Sequence, residues 1–75
     1  MHLPSKAQVK FWTGLTSVKY RREEGLFLAE GVKIVKEALR SVWEIEALLV
    51  WDDRRDRHEE LLEEASGRVE CYSLP

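Results

Sequence analysis

The chain has 75 residues, of which 44% are hydrophobic and 35% charged, and its formal net charge is −2. This length provides for one small domain, and the composition excludes a disordered or fibrous chain. No apolar run reaches the ~20 residues that a membrane-spanning helix needs, and residues 1–4 lack a signal-peptide pattern, so no membrane partner is expected. The single cysteine, Cys71, excludes an internal disulfide and is interpreted as a small core residue. A reduced, cytoplasmic location is therefore the default expectation.

The charges are distributed unevenly along the chain. Residues 1–40 contain eight Lys or Arg and four acidic residues, a net charge of +4, whereas residues 41–75 contain four Arg and ten acidic residues, a net charge of −6. The first 22 residues contain five Lys or Arg and no acid. This asymmetry indicates an anionic partner on one side of the molecule, although two ordinary solvated faces would have the same composition.

The first predicted element is a helix that begins after Ser5, a residue type favoured at helix N-caps. Apolar residues then recur at helical spacing from Ala7 to Leu15. Gly14 and the pair Thr16-Ser17 predict the end of this helix. Residues 17–24 predict a turn or a short second helix, which Gly25 terminates.

A strand and a third helix are predicted next, separated by a Glu-Gly step. Residues 26–29, Leu-Phe-Leu-Ala, form a continuous apolar run, which predicts a central strand covered on both faces. Gly31 then begins a helix with a broad apolar inner face. Lys33, Lys36 and Arg40 recur at spacings of three and four and are expected to share its outer face.

The second half of the chain repeats the strand–helix alternation. Residues 45–51 predict a strand, Asp52 and Asp53 are expected to cap a charged helix that ends at residues 66–67, and residues 68–72 predict a third strand. Strands separated by helices imply parallel pairing with right-handed crossovers, which is typical of the α/β class. Three strands without a closing element form a thin sheet, so we expect the chain to be a fragment of a larger protein.

Residues 14–39, GLTSVKYRREEGLFLAEGVKIVKEAL, contain short motifs in a distinctive order. A leucine is followed by a basic stretch, an Arg-x-x-x-Gly turn, the sequence Phe-Leu-x-Glu-Gly, and a helix that ends in Glu-Ala-Leu. This order resembles the N-terminal substrate-binding domain of the SpoU (TrmH-type) RNA 2′-O-methyltransferases, and their MRM3-like members in particular. The similarity extends over residues 5–72, since WEIEALLV at residues 43–50 matches the family's second strand.

The resemblance implies a fold, a domain organisation and partners. The fold would be a three-layer α/β/α sandwich like that of the L30e and L7Ae ribosomal proteins, truncated here before its last helix and strand. Residues 1–75 would be the RNA substrate-binding domain. The SPOUT catalytic domain, which binds S-adenosylmethionine, would lie outside this chain, so no catalytic, cofactor-binding or metal-binding residue is expected here. The implied partners are structured RNA, above all ribosomal RNA, the missing methyltransferase domain and, as a further option, a second copy of the chain.

The predicted RNA-binding residues are Lys19, Tyr20, Arg21, Arg22, Gly31, Lys33 and Lys36. Their cationic side chains would supply phosphate contacts, and the tyrosine ring would stack on an unpaired base. Gly31 at a helix start lets a phosphate or base approach free backbone N–H groups at the positive end of the helix dipole. Two roles stay open for Glu30. It could orient the site, by accepting N–H bonds at the helix start or by pairing with Arg21 or Arg22, or it could bond a base directly.

The leading functional hypothesis is an RNA-binding domain that delivers ribosomal RNA to an S-adenosylmethionine-dependent 2′-O-methyltransferase domain. The alternative is a non-catalytic domain, either a stand-alone RNA-binding protein or a dimerisation domain. The three tryptophans, Trp12, Trp43 and Trp51, are interpreted as packing residues. The Glu-rich stretch at residues 59–64 is interpreted as a solvated helix face that would repel RNA.

Overall fold

The computed structural model describes residues 1–75 as a mixture of helices and two parallel strands. The order is α1 (Lys6–Gly14), α2 (Val18–Glu24), α3 (Val32–Arg40), β1 (Ala47–Trp51), a 3₁₀ helix (Asp52–His58), α4 (Glu59–Ala65) and β2 (Glu70–Leu74). Strands β1 and β2 pair in parallel, with Leu48 opposite Cys71. Parallel strands joined through helices are compatible with the predicted α/β class.

Local residues determine where the first two helices begin and end. Ser5 forms a capping box at α1: its Oγ accepts the N–H of Gln8 at 3.1 Å, and the Ser5 N–H donates to Oε1 of Gln8 at 2.8 Å. The Oγ of Ser17 accepts the N–H of Tyr20 at 3.4 Å and so caps α2. Helix α2 ends at Gly25, whose φ of 68° lies in the left-handed region. The short second helix is thereby confirmed.

Residues 26–29 do not form the predicted strand, and this prediction is wrong. The N–H of Leu26 donates to the carbonyl of Arg21 at 3.2 Å, which extends the end of α2, and Phe27 is exposed. The free edge of β2 is instead bridged by His2, whose N–H donates to Cys71 and whose carbonyl accepts from Ser73, both at 2.9 Å. An apolar run indicates burial but does not select a pairing partner, which is why the sequence pattern was misleading. The three-layer L30e/L7Ae-like sandwich stays a prediction.

The second half differs from its prediction at two points. The charged helix begins as the 3₁₀ helix, and Asp52 does not cap it, because Oδ1 of Asp52 accepts a hydrogen bond from the hydroxyl of the buried Ser73 at 2.9 Å. The strands run over residues 47–51 and 70–74 rather than 45–51 and 68–72. The predicted helix end is confirmed, since Ser66 is the C-cap and Gly67 has a φ of 78°.

The core lies where α3 and α4 meet the sheet. Its buried residues are Leu39, Leu48, Leu61 and Ala65, with Val35, Ile45, Leu62, Val69 and Cys71 packed around them. Burial raises the pKa of the Cys71 thiol, which fits its interpretation as a core residue. Tyr72, the next residue of β2, contacts α1, because its ring centroid lies 5.0 Å from that of Trp12.

Two polar contacts fix the C-terminal end of α3. Nε of Arg40 donates to Oε1 of Glu64 in α4 at 2.8 Å, and the guanidinium of Arg68 donates to the carbonyl of Leu39 at 2.7 Å. Because the last carbonyls of a helix lack partners within it, the Arg68 contact also caps α3. Helix α3 is therefore held at one end while its N-terminal end reaches the surface. No helix in the structure has the length and apolar character needed to cross a membrane.

Candidate nucleic-acid interface

Gly31 forms the start of α3 and has a backbone conformation that favours glycine. Its φ is 102° and its ψ is 141°, and no side chain caps the helix there. Its carbonyl accepts the N–H of Val35 at 3.0 Å, while the N–H groups of Val32, Lys33 and Ile34 donate to no acceptor within the chain. A Cβ added to Gly31 would meet no atom within 4 Å. The first turn of α3 therefore has free N–H groups, and the space next to Gly31 is open to a ligand. An anion-binding helix start requires both features.

All but one of the cations of the N-terminal half lack an acidic partner. Of the eight Lys and Arg in residues 1–40, only Arg40 makes an ion pair. On α2, Lys19 and Arg22 are exposed and Arg21 is half-buried. Arg21 is linked to the segment that leads to α3, because its carbonyl accepts the N–H groups of Gly25 and Leu26. These cations stay available for an anion from outside the chain.

Tyr20 is half-buried and fills a gap against α1. Its ring lies 5.8 Å from that of Phe11 in an edge-on arrangement, and a Cβ at Gly14 would come within 2.9 Å of two of its ring atoms. The glycine thus allows the ring to approach the backbone of α1. This contact occupies part of the ring surface, and stacking of Tyr20 on a base stays a prediction.

The three cations of α3, Lys33, Lys36 and Arg40, fall into two groups. Near its C-terminal end, the hydrogen bond from Arg40 lowers the pKa of the Glu64 carboxyl, and the positive charges of Arg68 and Lys36 lower it further, against the opposing effect of desolvation. Lys36 is half-buried and lies close enough to α4 to act on Glu64. Lys33 lies one turn nearer the helix start and is exposed. Lys33 is therefore better placed than Lys36 to meet an anion at Gly31.

Replacing Arg40 by Gln should raise the pKa of Glu64 toward its ordinary value, because the hydrogen bond that favours the carboxylate is lost. In the wild-type chain the lowered pKa stabilises the fold above the carboxyl pKa of the unfolded state, and this contribution is lost as the pH falls through the lower, folded-state value. Carboxyl NMR titration measures the change directly. Arg57→Gln is the control, since Arg57 does not act on Glu64. An unchanged Glu64 pKa in Arg40→Gln would contradict the pairing.

Glu30 is exposed at the entrance to α3. Its carboxylate makes neither a hydrogen bond nor an ion pair, so the structure contains no contact to the helix N–H groups, to Arg21 or to Arg22. Both the orienting role and direct bonding to a base stay predictions. No group of three or more His, Cys, Asp or Glu side chains is placed to hold a metal ion.

Comparison with protein families identifies the chain. The family model of the MRM3-like substrate-binding domain matches residues 6–74. The chain belongs to this family. The match includes every element from α1 to β2, so the open start of α3 and the unpaired cations are features of an MRM3-like substrate-binding domain. None of the curated proteins and none of the solved structures matches the chain.

Proposed function

We propose that this MRM3-like domain binds structured RNA, ribosomal RNA in particular, and presents it to an S-adenosylmethionine-dependent 2′-O-methyltransferase domain of the SpoU/TrmH type. The observation that carries the proposal is the combination of unpaired cations on α2 and α3 with the uncapped, open helix start at Gly31. The family supports a substrate-recognition role. The proposed setting is the cytoplasm.

The chemistry of the site matches a phosphate backbone. Phosphates are bound by Lys and Arg side chains and by N–H groups at helix starts, and such contacts position a nucleic acid without reading its sequence. The acidic residues of the 3₁₀ helix and α4 are concentrated in the other half of the chain and would repel RNA there. RNA is therefore expected to approach from the side of α2 and the start of α3.

A dimerisation domain is the second candidate, and one observation favours it. Strand β1 pairs only with β2, so its other edge carries unpaired backbone groups, and Trp51 at its end is exposed. Open strand edges promote pairing between chains. Sedimentation over a wide concentration range distinguishes a monomer from a self-associating chain and does not depend on RNA binding.

Replacing Gly31 by Val tests the helix start. We expect binding of a structured ribosomal RNA fragment to weaken about tenfold or more, because a hydrogen bond to a charged group contributes ~1.5–3 kcal/mol and the branched side chain would obstruct the N–H groups. The variant should also lose stability by ~1–3 kcal/mol, since Val does not tolerate the positive φ. Affinity is measured by titration with the RNA fragment and with a random duplex, and the preference for the structured target should decrease.

Gly67→Val is the matched control for this experiment. Gly67 also has a positive φ, 78°, and an open Cβ direction, but it lies in the acidic half of the chain. Its variant should show a comparable loss of stability and retain RNA affinity. Equal affinities for folded Gly31→Val and Gly67→Val would refute a role for the α3 start in binding.

A further inference from the structure

Two large aromatic side chains lie on the surface, although the sequence pattern indicated that Trp43 is a packing residue. Phe27 is 53% exposed and Trp43 is 60% exposed, and their rings lie 5.0 Å apart with an interplanar angle of 86°. In an edge-on pair, the edge of one ring lies against one face of the other ring. The first ring then has two uncovered faces, and the second ring has one. Each ring therefore has at least one face that the pair itself does not cover.

The backbone holds Trp43 in place. The N–H of Trp43 donates to Oγ of Ser41 at 3.0 Å, and this hydroxyl donates to the carbonyl of Ala38 at 2.7 Å. Trp43 is thus attached to the C-terminal end of α3, the end that Arg68 and Glu64 also fix. Because the hydrogen bond to Ser41 fixes the backbone of Trp43, less conformational entropy is lost when its ring binds a ligand.

Phe27 is close to the proposed phosphate-binding residues along the chain. Phe27 precedes Gly31 by four residues, so their Cα atoms lie within about 14 Å of each other. The residue before Phe27 is Leu26, whose N–H donates to the carbonyl of Arg21. Phe27 therefore belongs to the segment that connects basic α2 with the open start of α3, and Trp43 contacts its ring from the residues that follow α3.

We infer that Phe27 and Trp43 form a stacking site for an unpaired nucleobase of the bound RNA; the inference rests on the proposed RNA-binding function. A single-stranded or looped RNA segment can use both features, because its bases stack on exposed aromatic rings while its phosphates meet cations that have no acidic partner. The neighbouring Val42 is fully exposed and adds apolar surface. The ligand class is therefore RNA with unpaired bases rather than a continuous duplex.

The test compares Trp43→Ala and Phe27→Ala with the wild-type chain. The probes are a short single-stranded RNA and the same strand annealed to its complement. Stacking on an aromatic ring contributes enough that its loss should weaken single-strand binding about 5- to 150-fold. Duplex binding and the salt dependence should change little, since no charge is removed. Trp43→Phe should retain most of the single-strand affinity.

Trp51→Ala is the matched control. Trp51 is 56% exposed, but it is followed by Asp52 and Asp53 in the acidic half, so its removal should leave both affinities unchanged. Wild-type affinity of folded Trp43→Ala and Phe27→Ala for the single strand would overturn the stacking site while leaving the phosphate contacts in place. A wild-type chain that binds neither RNA would overturn the proposed function as well. Loss of a dimer in Trp43→Ala with unchanged RNA affinity would make the pair a self-association surface and overturn the inference.

Discussion

Replacing Leu39 by Ala will lower the free energy of unfolding by about 2–5 kcal/mol, the usual effect of a Leu-to-Ala cavity in a well-packed core. Leu39 is 1% exposed and contacts the core formed by α3, α4 and the sheet. A chain of this length has a total stability of roughly 4–11 kcal/mol, so one such cavity removes a large part of it. Urea unfolding followed by circular dichroism measures the difference.

Ile34→Ala is the control for this experiment. Ile34 lies on the same helix and its side chain is an isomer of leucine, but it is 53% exposed. Its replacement should change the free energy of unfolding by only about 0.5 kcal/mol, because exposed positions contribute little and Ala favours the helix. Similar losses in the two variants would mean that α3 is not anchored through Leu39.

Replacing Arg21, Arg22 and Lys33 together by Ala will weaken RNA binding roughly 100- to 500-fold at about 0.1 M salt. Each phosphate contact contributes ~0.7–0.9 to the slope of log K against log salt, so at ~0.1 M, one decade below a reference of ~1 M, three lost contacts lower log K by about 2.1 to 2.7. The loss should be similar for RNAs of different sequence, because phosphate contacts carry no sequence information. Circular dichroism and urea unfolding must show an intact fold, since Arg21 is half-buried.

The boundaries of the first two helices could be predicted because their signals are local. Ser5 and Ser17 accept N–H groups only three residues further along the chain, and the positive φ of Gly25 requires no distant contact. Strand pairing depends on partners far away in sequence. The apolar residues 26–29 therefore predicted a strand that is absent, and the bridge from His2 to Tyr72 has no sequence signal that could have revealed it.

The same distinction applies to the candidate site. The position of Gly31 at the start of α3 could be predicted, since a glycine at a helix start is a local feature. The difference in surroundings between Lys33 and Lys36 could not be predicted, because it depends on Glu64, which belongs to another helix. The exposure of Trp43 was also unpredictable, since an aromatic residue near an amphipathic helix is more often buried and its surroundings are set by tertiary packing.

Arg21, Arg22 and Lys33 form the proposed basic face of α2 and α3. The salt dependence of RNA binding tests this basic face most directly when two triple variants are compared. Arg21→Ala/Arg22→Ala/Lys33→Ala and Arg54→Ala/Arg55→Ala/Arg57→Ala each remove three positive charges and change the net charge from −2 to −5. The charges come from α2 and α3 in the first variant and from the 3₁₀ helix in the second, which also loses the exposed ion pair between Arg55 and Asp52.

The basic-face account predicts that the first triple variant loses affinity for a ribosomal RNA fragment and reduces the salt slope by about two to three, while the second keeps the wild-type slope. Equal slopes in both variants, with wild-type affinity in the first, would contradict it and show that the basic face is only a solvated surface.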